Sequence, residues 1–382
     1  MFDFKNKTIL IISPQKWGKM HISKHHYALE LAKKGNIVYF LNPPVRQFLP
    51  KIRVSKNEKF DNLFIIDYSF FFPYNLRFHF RTLFDKLLYK NITFILKKIK
   101  QKIDVVWCFD TNLLSGFHAF KNTVKIYHPV DNISGTNQKG LLESADFVFS
   151  LSEVITKDLQ TYHNQKIYFI NHGLSDYFIK HKQKSTRKNI KKSAYFVGNV
   201  LLASLDRIIT KKIITENHNI TFTFIGAYDY SSNNISGSSD ADALKFVEFL
   251  KKSDNVILKG MIHPKNIPEE LQNADILLVL IDPQKDINKG SNSHKILEYL
   301  STGKVIVANH ISTYADKPGL IEMVDEMHND KLPALFKKVI NNLDYYNSPE
   351  LQKKRIEFAL NNTYAKQIER IEKIISENLR IK

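Results

Sequence analysis

The sequence predicts an α/β protein built from two Rossmann-like, doubly wound domains in tandem that face a cleft. The chain has 382 residues, more than a single core usually holds, so two domains are expected. Apolar, β-branched runs alternate with helical patterns in both halves, which is typical of βαβ units and parallel sheets. A basic segment at 181–192 interrupts the alternation, which then starts again. Open sheets of this kind bind ligands at the carboxyl ends of their strands, so the cleft is expected there.

The first domain is predicted to span 1–180. After the apolar run TILII, the amphipathic segment HISKHHYALELAKK predicts a helix, and Gly35 follows where a C-cap glycine belongs. Seven runs in this half are predicted to be strands: 8–12, 36–41, 62–67, 104–109, 123–128, 146–150 and 166–170.

The second domain is predicted to span 193–362, after a solvated linker at 181–192. Residues 180–192 contain seven Lys and Arg and no acidic residue, which is typical of an exposed connector. Five further runs are predicted to be strands: 193–199, 220–226, 255–260, 274–281 and 304–309. The chain has helical patterns from about Lys331 onward, and we expect its last helix, at 363–382, to pack back on the first domain.

Charge and composition limit the class of protein. With 56 Lys and Arg against 38 Asp and Glu, the formal net charge is +18. This excess of positive charge would attract the phosphates of nucleic acid, of anionic lipid or of a phosphorylated substrate. A solvated, lysine-rich surface without a specific partner also explains it. The basic residues are dispersed and form no recognised nucleic-acid-binding module, so nucleic acid is not an expected partner.

The cellular location is also predicted from composition. The single cysteine, Cys108, excludes an intrachain disulfide and fits a reducing cytoplasm. The sequence has no run of about 18 apolar residues and no signal-peptide pattern. We therefore expect a cytoplasmic protein that is at most peripheral on the inner face of the cell membrane.

The strongest site signal is the segment GSNSHKILEYLSTGKVIVAN at 290–309. Ser291 or Ser293 is a good helix N-cap, and the free backbone N–H groups at a helix start bind anions. Lys295 adds a positive charge in the first turn, where a ligand phosphate would compensate it. Glu298 lies one turn later on the same side, and its carboxylate suits ribose hydroxyls. A capped helix with a surface Lys–Glu pair explains the same residues, and both interpretations stay open.

The order of segments around this helix resembles the nucleotide-binding half of GT-B glycosyltransferases. FVGN, FIGAY, NVILKGMIHPKNIPEELQNADILLVL and SHKILEYLSTGKVIVAN follow one another as in that fold, and five residues match its motif one by one: Lys295, Glu298, Tyr299, Gly303 and Lys304. In the first half, SPQKWGKMHISKHHYALELAKKGNIVYFLNPP and ESADFVFSLSEVITKDL resemble the same enzymes. The chain is thus similar over nearly its whole length to bacterial group 1-like and xanthan-type glucuronosyltransferase-like enzymes.

This resemblance implies that a sugar is transferred from a nucleotide-diphosphate donor, with a UDP-sugar expected, to a glycan or lipid-linked acceptor in bacterial surface polysaccharide synthesis. It implies no cofactor. The implied donor-binding residues are Gly198, Gly226, Ile262, His263, Ser291, Asn292, Ser293, His294, Lys295 and Glu298, and the implied acceptor-binding residues are Trp17 and His21. A nucleotide-sugar 2-epimerase or a phosphorylase on the same fold stays as an alternative, as does a basic nucleic-acid-binding protein.

One departure from the resemblance bears on the mechanism. Gly290 stands where large retaining families of this fold have a second Glu, which favours an inverting enzyme. An inverting transfer needs a side chain of the first domain to accept the proton of the acceptor hydroxyl. The segment IYHPVDN offers Asp131 as the first candidate and His128 as the second, and Asp110 is the third. Asp131 as an ordinary turn residue after Pro129 is the alternative.

Two further patterns have more than one interpretation. Aromatic and basic residues are mixed at 67–102, which suits the headgroup boundary of an anionic membrane surface; a core helix with a solvated basic face explains them as well. Asp240 and Asp242 form a D-x-D pattern, but Asp240 is predicted to be a helix N-cap. No metal site is therefore predicted.

Overall fold

The computed structural model describes residues 2–18, 20–45, 51–131, 138–180, 191–229, 240–286, 292–325 and 327–379. The chain divides into two compact units. The first comprises Met1–Gly173 and Tyr364–Lys382, and the second comprises Leu174–Thr363. The change from the first unit to the second therefore precedes the basic segment at 181–192, where the sequence pattern places the linker.

The first unit contains an eight-stranded sheet in its described residues. Its strands are β1 (Thr8–Ile12), β2 (Ile37–Leu41), β3 (Ile52–Lys56), β4 (Leu63–Tyr68), β5 (Val105–Cys108), β6 (Val124–Tyr127), β7 (Phe147–Ser150) and β8 (Ile167–Phe169). The helices before Gly173 are α1 (Ser23–Lys33), α2 (Leu76–His79), α3 (Arg81–Ile99), α4 (Lys139–Ser144) and α5 (Glu153–Gln160).

The strand order in this sheet is β3-β4-β2-β1-β5-β6-β7-β8. Pairing is parallel except between β3 and β4, which are antiparallel. The chain begins at β1, builds outward to β2 and β4, and then continues on the other side of β1 with β5. The sheet is therefore doubly wound, and its order reverses between β1 and β5.

Both faces of this sheet are buried, which explains the continuous apolar runs of its strands. In β1, Leu10 and Ile12 belong to one apolar core, with residues of α3, while Ile9 and Ile11 belong to the other, with residues of α1. The edge strand β3 was not predicted. Its sequence, IRVSK, carries charged and polar residues because an edge strand is only partly covered, so it lacks an apolar run.

The second unit contains a six-stranded sheet in its described residues. Its strands are β9 (Ser193–Val197), β10 (Thr221–Ile225), β11 (Val256–Gly260), β12 (Ile276–Val279), β13 (Val305–Ala308) and β14 (Glu322–Met323). Its helices are α6 (Asp176–Ile179), α7 (Arg207–Glu216), α8 (Ala241–Lys252), α9 (Ile267–Leu271), α10 (His294–Leu300), α11 (Leu332–Asn341), α12 (Leu343–Tyr346) and α13 (Pro349–Leu360).

All pairings in the second sheet are parallel, in the order β11-β10-β9-β12-β13-β14. Counted along the chain, this is the order 3-2-1-4-5-6 of dinucleotide-binding Rossmann folds, with its reversal between β9 and β12. The predicted fold class, two Rossmann-like doubly wound domains, is confirmed.

The final helix, α14 (Tyr364–Leu379), belongs to the first unit. Ile368, Ile371 and Ile375 share an apolar core with residues of α1 and β1. Glu372 accepts a hydrogen bond from the backbone N–H of Phe4 at 2.7 Å and pairs with Lys34 at 2.8 Å. None of the helices in the described residues is long and apolar enough to cross a membrane.

Candidate functional site

The carboxyl edge of the second sheet brings together residues from distant parts of the sequence. Gly198 follows β9, and α10 lies in the connection that follows β12. The strand order reverses between these two strands, and open α/β sheets bind ligands at such a point. Helix α10 therefore lies at the position where open α/β sheets generally bind ligands.

Helix α10 begins at a capping serine and is joined to this edge by one buried tyrosine. Ser293 has extended backbone angles, and its Oγ accepts the backbone N–H of Lys295 at 3.4 Å, as an N-cap does. Tyr299 is buried, and its hydroxyl oxygen accepts the backbone N–H of Val197 at 2.8 Å. This bond joins α10 to the last residue of β9, immediately before Gly198.

Two glycines shape the strand ends beside α10. A Cβ atom at Gly198 would lie 2.9 Å from Lys295 Nζ, so the bare backbone makes room for this ammonium at the end of β9. Gly226 has φ +144°, and a Cβ atom there would lie 1.9 Å from Gly198 O. Only glycine fits at Gly226, since its backbone passes directly over that of Gly198.

The electrostatics of α10 suit a ligand with both phosphate and hydroxyl groups. Lys295 and Glu298 are half-buried. Burial lowers the pKa of Lys295, and Glu298 partly opposes this change. Burial raises the pKa of Glu298 to about 7, although Lys295 acts in the opposite direction. A bound phosphate would favour the charged form of the lysine. Near neutral pH, a carboxyl group with this pKa can accept hydrogen bonds from hydroxyls when ionised and donate one to them when protonated.

Some of the other implied donor-binding residues lie at α10, and others lie elsewhere in the second unit. Asn292, Ser293 and His294 are half-buried at the start of α10. Ile262 packs against the apolar core that contains the inward side chains of α10. His263 is exposed, and its Nδ1 accepts the backbone N–H of Lys265 at 3.2 Å. The described contacts of His263 are thus local to its own turn, and none joins it to Lys295. Ser291 and Gly290 lie outside the described residues.

His128 has a different environment from the one that its predicted role requires. Its side chain is fully buried at the end of β6 and packs against the rings of Phe109 at 5.2 Å and Trp107 at 6.0 Å. Neither ring nitrogen has a hydrogen-bond partner among the described residues. Burial, with a smaller contribution from the charge of Lys24, lowers its pKa to about 3. A proton acceptor must be reachable by the substrate hydroxyl, and neither nitrogen of this ring is exposed.

The two aspartates also differ from each other. Asp110 is buried, and its Oδ1 accepts the backbone N–H groups of Asn112 at 2.7 Å and Leu113 at 2.9 Å, so it stabilises the turn after β5. Asp131 is exposed beyond the end of β6. Of the three candidate proton acceptors, Asp131 is the one whose side chain is open to solvent.

Lys24, in the first turn of α1, is a residue that the sequence analysis missed. It is 1% exposed, and the carboxylates of Asp131 and Asp110 lie close enough to stabilise its charge. Burial nevertheless lowers its pKa to about 8. The sequence contains a signal for it, because Lys24 is spaced from Ala28 and Leu31 as i, i+4 and i+7, on the apolar side of the helix.

The implied acceptor-binding residues Trp17 and His21 lie together in the loop between β1 and α1. Their rings are 5.1 Å apart, and Trp17 also packs against Phe40 at 4.9 Å. The backbone N–H of Trp17 donates to Asn42 Oδ1 at 2.7 Å, and Asn42 Nδ2 in turn donates to Asp67 Oδ1 at 2.7 Å. Burial and the nearby Lys59 lower the pKa of His21. The loop thus presents a half-buried aromatic pair on a hydrogen-bonded support.

The D-x-D pattern has a structural role in its first residue. Asp240 is the N-cap of α8, and its carboxylate accepts the backbone N–H of Ala243, as predicted. Arg207 Nη1 donates to the same carboxylate at 3.2 Å. Within the described ranges, no group of three or more His, Cys, Asp or Glu residues is arranged to hold a metal ion.

Comparison with known proteins identifies the fold. No protein-family model matches the sequence, and no curated protein matches it. The structure matches α,α-trehalose 6-phosphate synthase from Burkholderia multivorans with a TM-score of 0.68 and 10% identity, over 99% of this chain and 98% of that chain. It matches sucrose-phosphate synthase from Thermosynechococcus elongatus with a TM-score of 0.66 and 10% identity, over 98% and 100% of the two chains.

A third match is Anabaena HepE in complex with UDP and glucose, with a TM-score of 0.64 and 12% identity, over 97% of this chain and 99% of that chain. The matches span both units and nearly the full length of each known protein. At these identities they establish the fold. The chain has the GT-B fold of nucleotide-sugar glycosyltransferases, as its sequence predicts.

Proposed function

We propose that this protein is a glycosyltransferase that moves a sugar from a nucleotide-diphosphate donor to a glycan or lipid-linked acceptor. The observation that carries the proposal is the arrangement of Lys295 and Glu298 on α10 beside Gly198, at the reversal point of the second sheet. A cation, a carboxyl group and a helix start at this edge match the diphosphate and ribose of a nucleotide.

The expected donor is a UDP-sugar. HepE, which shares the fold, has been solved with UDP, with UDP and glucose, and with UDP-glucose. A further match, from E. coli, is described as bound with UDP-2-fluoro glucose, at a TM-score of 0.68 and 12% identity. These ligands support the choice of a UDP-sugar as the donor.

In the proposed mechanism the chain itself stabilises the leaving diphosphate. Negative charge develops on the diphosphate as the bond to the anomeric carbon breaks. The ammonium of Lys295 and the N–H groups at the start of α10 stabilise this charge, so neither a metal ion nor another cofactor is required. Glu298 holds the ribose hydroxyls and fixes the position of the donor.

The proposed stereochemical course is inversion. The acceptor hydroxyl attacks the anomeric carbon, its proton passes to Asp131, and the diphosphate leaves from the opposite face of the sugar. Asp131 is favoured over His128 and Asp110 because its carboxylate is exposed, whereas the other two side chains are buried. Trp17 and His21 are assigned to the acceptor.

We further assign the protein to bacterial surface polysaccharide synthesis, on the cytoplasmic face of the cell membrane. A lipid-linked acceptor lies at a membrane surface, and a chain with a net charge of +18 is attracted to anionic headgroups there. A protein acting there would meet its nucleotide donor in the cytoplasm and its acceptor at the membrane surface.

The decisive test is nucleotide binding followed by product analysis. Thermal unfolding is measured with UDP, GDP, CMP and ADP. A ligand at 100 times its dissociation constant stabilises the site by roughly 2.7 kcal/mol, so UDP is expected to raise the midpoint most. Transfer from the matching sugar nucleotide is then followed by NMR, and the product should have the anomeric configuration opposite to that of the donor. If no nucleotide binds, and salt-sensitive DNA binding is found instead, the proposal is wrong.

A further inference from the structure

The surface formed by α2, α3 and the segment before them exposes an unusual set of side chains. We call it the aromatic–basic surface and define it as residues 70–100. Six large apolar side chains in it are exposed: Phe71, Phe78, Phe80, Leu83, Tyr89 and Phe94. Phe78 and Phe80 are 66% and 64% exposed, more than is usual for a phenylalanine in a folded protein.

Helix α3 has two faces, and only one of them is accounted for by the core. Phe84, Leu88 and Ile95 are buried in the apolar core beneath the first sheet. The opposite side carries Leu83, Lys86, Lys90, Phe94 and Lys97, at spacings of three and four residues that place them along one line. A core helix with a solvated basic face explains the first set and the lysines, but not the exposed leucine and rings.

The segment before α2 packs its own rings on the core beneath. Phe70, Phe72 and Tyr74 pack edge-on against the buried ring of Phe84, at centroid distances of 5.6, 5.5 and 6.2 Å. The guanidinium of Arg77 lies 5.6 Å from the Tyr74 ring.

That guanidinium also lies 5.5 Å from the ring of Phe78, and Arg77 Nη1 donates a hydrogen bond to the Tyr74 hydroxyl. Arg77 thus links the Tyr74 and Phe78 side chains at the surface, where Phe78 stays 66% exposed. Several large apolar side chains exposed within one short segment indicate a contact surface.

The charge of the aromatic–basic surface identifies the chemistry of its partner. Residues 70–100 contain seven Lys and Arg and one acidic residue, Asp85, which is a net charge of +6. Asp85 is paired with Arg81 at 3.0 Å, so the lysines of α3 face solvent without an acidic neighbour on their own helix. Exposed rings with cations beside them suit the boundary between acyl chains and anionic headgroups.

We propose that the aromatic–basic surface binds an anionic phospholipid bilayer. Phe78, Phe80 and Leu83 lie at the level where the acyl chains begin, and Lys86, Lys90 and Lys97 contact the headgroup phosphates. A single-stranded nucleic acid would use the same lysines and could stack bases on the exposed rings, but it would leave the aliphatic side chain of Leu83 exposed to water, whereas a bilayer covers it. The inference deepens the proposed function, since it brings the first unit to a lipid-linked acceptor.

Vesicle flotation tests the proposal. The full chain is mixed with vesicles of phosphatidylcholine alone or of phosphatidylcholine with 25% phosphatidylglycerol, at low and high salt. We expect flotation with the anionic vesicles only, weakened by salt. The variant F78S/F80S/L83S removes three apolar side chains from the acyl-chain boundary. The variant K86Q/K90Q/K97Q/K98Q removes four charges, each of which contributes about fivefold near an anionic surface. Each variant should lower the partition coefficient at least about thirtyfold.

Matched control variants distinguish binding through this surface from non-specific adsorption of the protein to vesicles. I208S/L244S/I257S removes three exposed apolar side chains of the second unit, and K245Q/K252Q/K265Q/K337Q removes four exposed lysines there. Both controls should float as the unmodified chain does. All variants must show unchanged thermal unfolding, and a Phe78→Trp variant gives a second readout, since its fluorescence should shift to the blue with anionic vesicles.

The outcomes separate this proposal from the proposed function. Absence of flotation with anionic vesicles, or equal losses in the control variants, would overturn the membrane surface while leaving sugar transfer to a soluble glycan intact. Binding to an oligonucleotide that the lysine variant abolishes, without vesicle binding, would overturn it in favour of nucleic acid. Flotation together with a failure to bind any sugar nucleotide would support the surface and refute the enzyme.

Discussion

The sharpest prediction contrasts two glycines at the end of the second sheet. In Gly198→Ala, the new Cβ would lie 2.9 Å from Lys295 Nζ and 2.9 Å from Phe196 Cζ. The Lys295 contact is the far end of a flexible side chain, which can leave the space that the Cβ takes, whereas the buried ring of Phe196 has to shift within the core. We expect a folded protein that is destabilised by about 1–2 kcal/mol, in the range of mild overpacking.

Gly226→Ala introduces the same atom with a different consequence. Its Cβ would lie 1.9 Å from the backbone oxygen of Gly198, and φ +144° is a conformation that side chains rarely adopt. Backbone cannot yield as a lysine can, so overpacking and strain together should destabilise the second unit by about 3–5 kcal/mol. For a unit of this size, that corresponds to a fall of roughly 6–20 °C in the unfolding midpoint.

The two variants separate the site from the fold. Thermal unfolding by circular dichroism measures stability, and calorimetric titration with UDP measures binding. Because Gly198→Ala displaces the ammonium of Lys295 from the end of β9, it should weaken UDP binding at least about tenfold, a loss of roughly 1.4 kcal/mol. Gly198→Ala protein that is folded and binds UDP as tightly as the unmodified protein would refute the assignment of this strand end to the diphosphate.

Three further predictions concern charged side chains. Lys295→Ala and Glu298→Ala should each lower kcat/KM at least about tenfold without unfolding the protein, and unmodified turnover in both would remove them from the site. Because burial raises the pKa of Glu298 to about 7, this carboxyl group destabilises the fold progressively as the pH rises from about 4.5 through 7. Glu298→Gln should therefore gain thermal stability over the unmodified protein between pH 5 and 8, and an equal pH dependence of both would contradict this. Burial lowers the pKa of Lys24 to about 8, so its buried charge destabilises the fold increasingly as the pH falls from 10.5 through 8. The variant Lys24→Met should therefore unfold at a higher temperature than the unmodified protein at pH 7. Near pH 10.5 the two proteins should unfold at the same temperature.

The sequence predicts the strands well where they are buried on both faces. In β1 and β5 the apolar run coincides with the strand, because central parallel strands need apolar side chains on both sides. The sequence pattern does not predict β3 and β14, which form one edge of each sheet. β3 alternates charged and apolar residues, and β14 has two residues, so neither produces a run that can be recognised.

Candidate site residues were predictable where one local segment carries them. Ser293, Lys295 and Glu298 lie on one short helix, so their cap and their common side follow from spacing alone. The approach of Lys295 to Gly198 was not predictable, because it depends on the pairing of β9 with β12.

The sequence did not reveal which polar side chains near the strand ends are buried. His128 is one residue beyond β6, where the sequence cannot tell whether its ring faces the core or the solvent. The backbone N–H of His128 donates to Cys108 O at 2.9 Å, which continues the pairing with β5 and keeps the residue inside. Lys24 was not predicted as a site residue because lysine side chains are generally exposed. Its helical spacing nevertheless places it on the same side of α1 as the buried Ala28.

The membership of α14 in the first unit has a consequence for biosynthesis. The second unit is one continuous segment, Leu174–Thr363, inserted into the first. Domains generally fold during synthesis in the order in which they leave the ribosome. Here the first unit begins to emerge earlier but lacks Ile368, Ile371 and Ile375 of its core until the second unit has been made. The second unit can therefore fold first, while the nascent first unit keeps an apolar face uncovered that chaperones would have to shield.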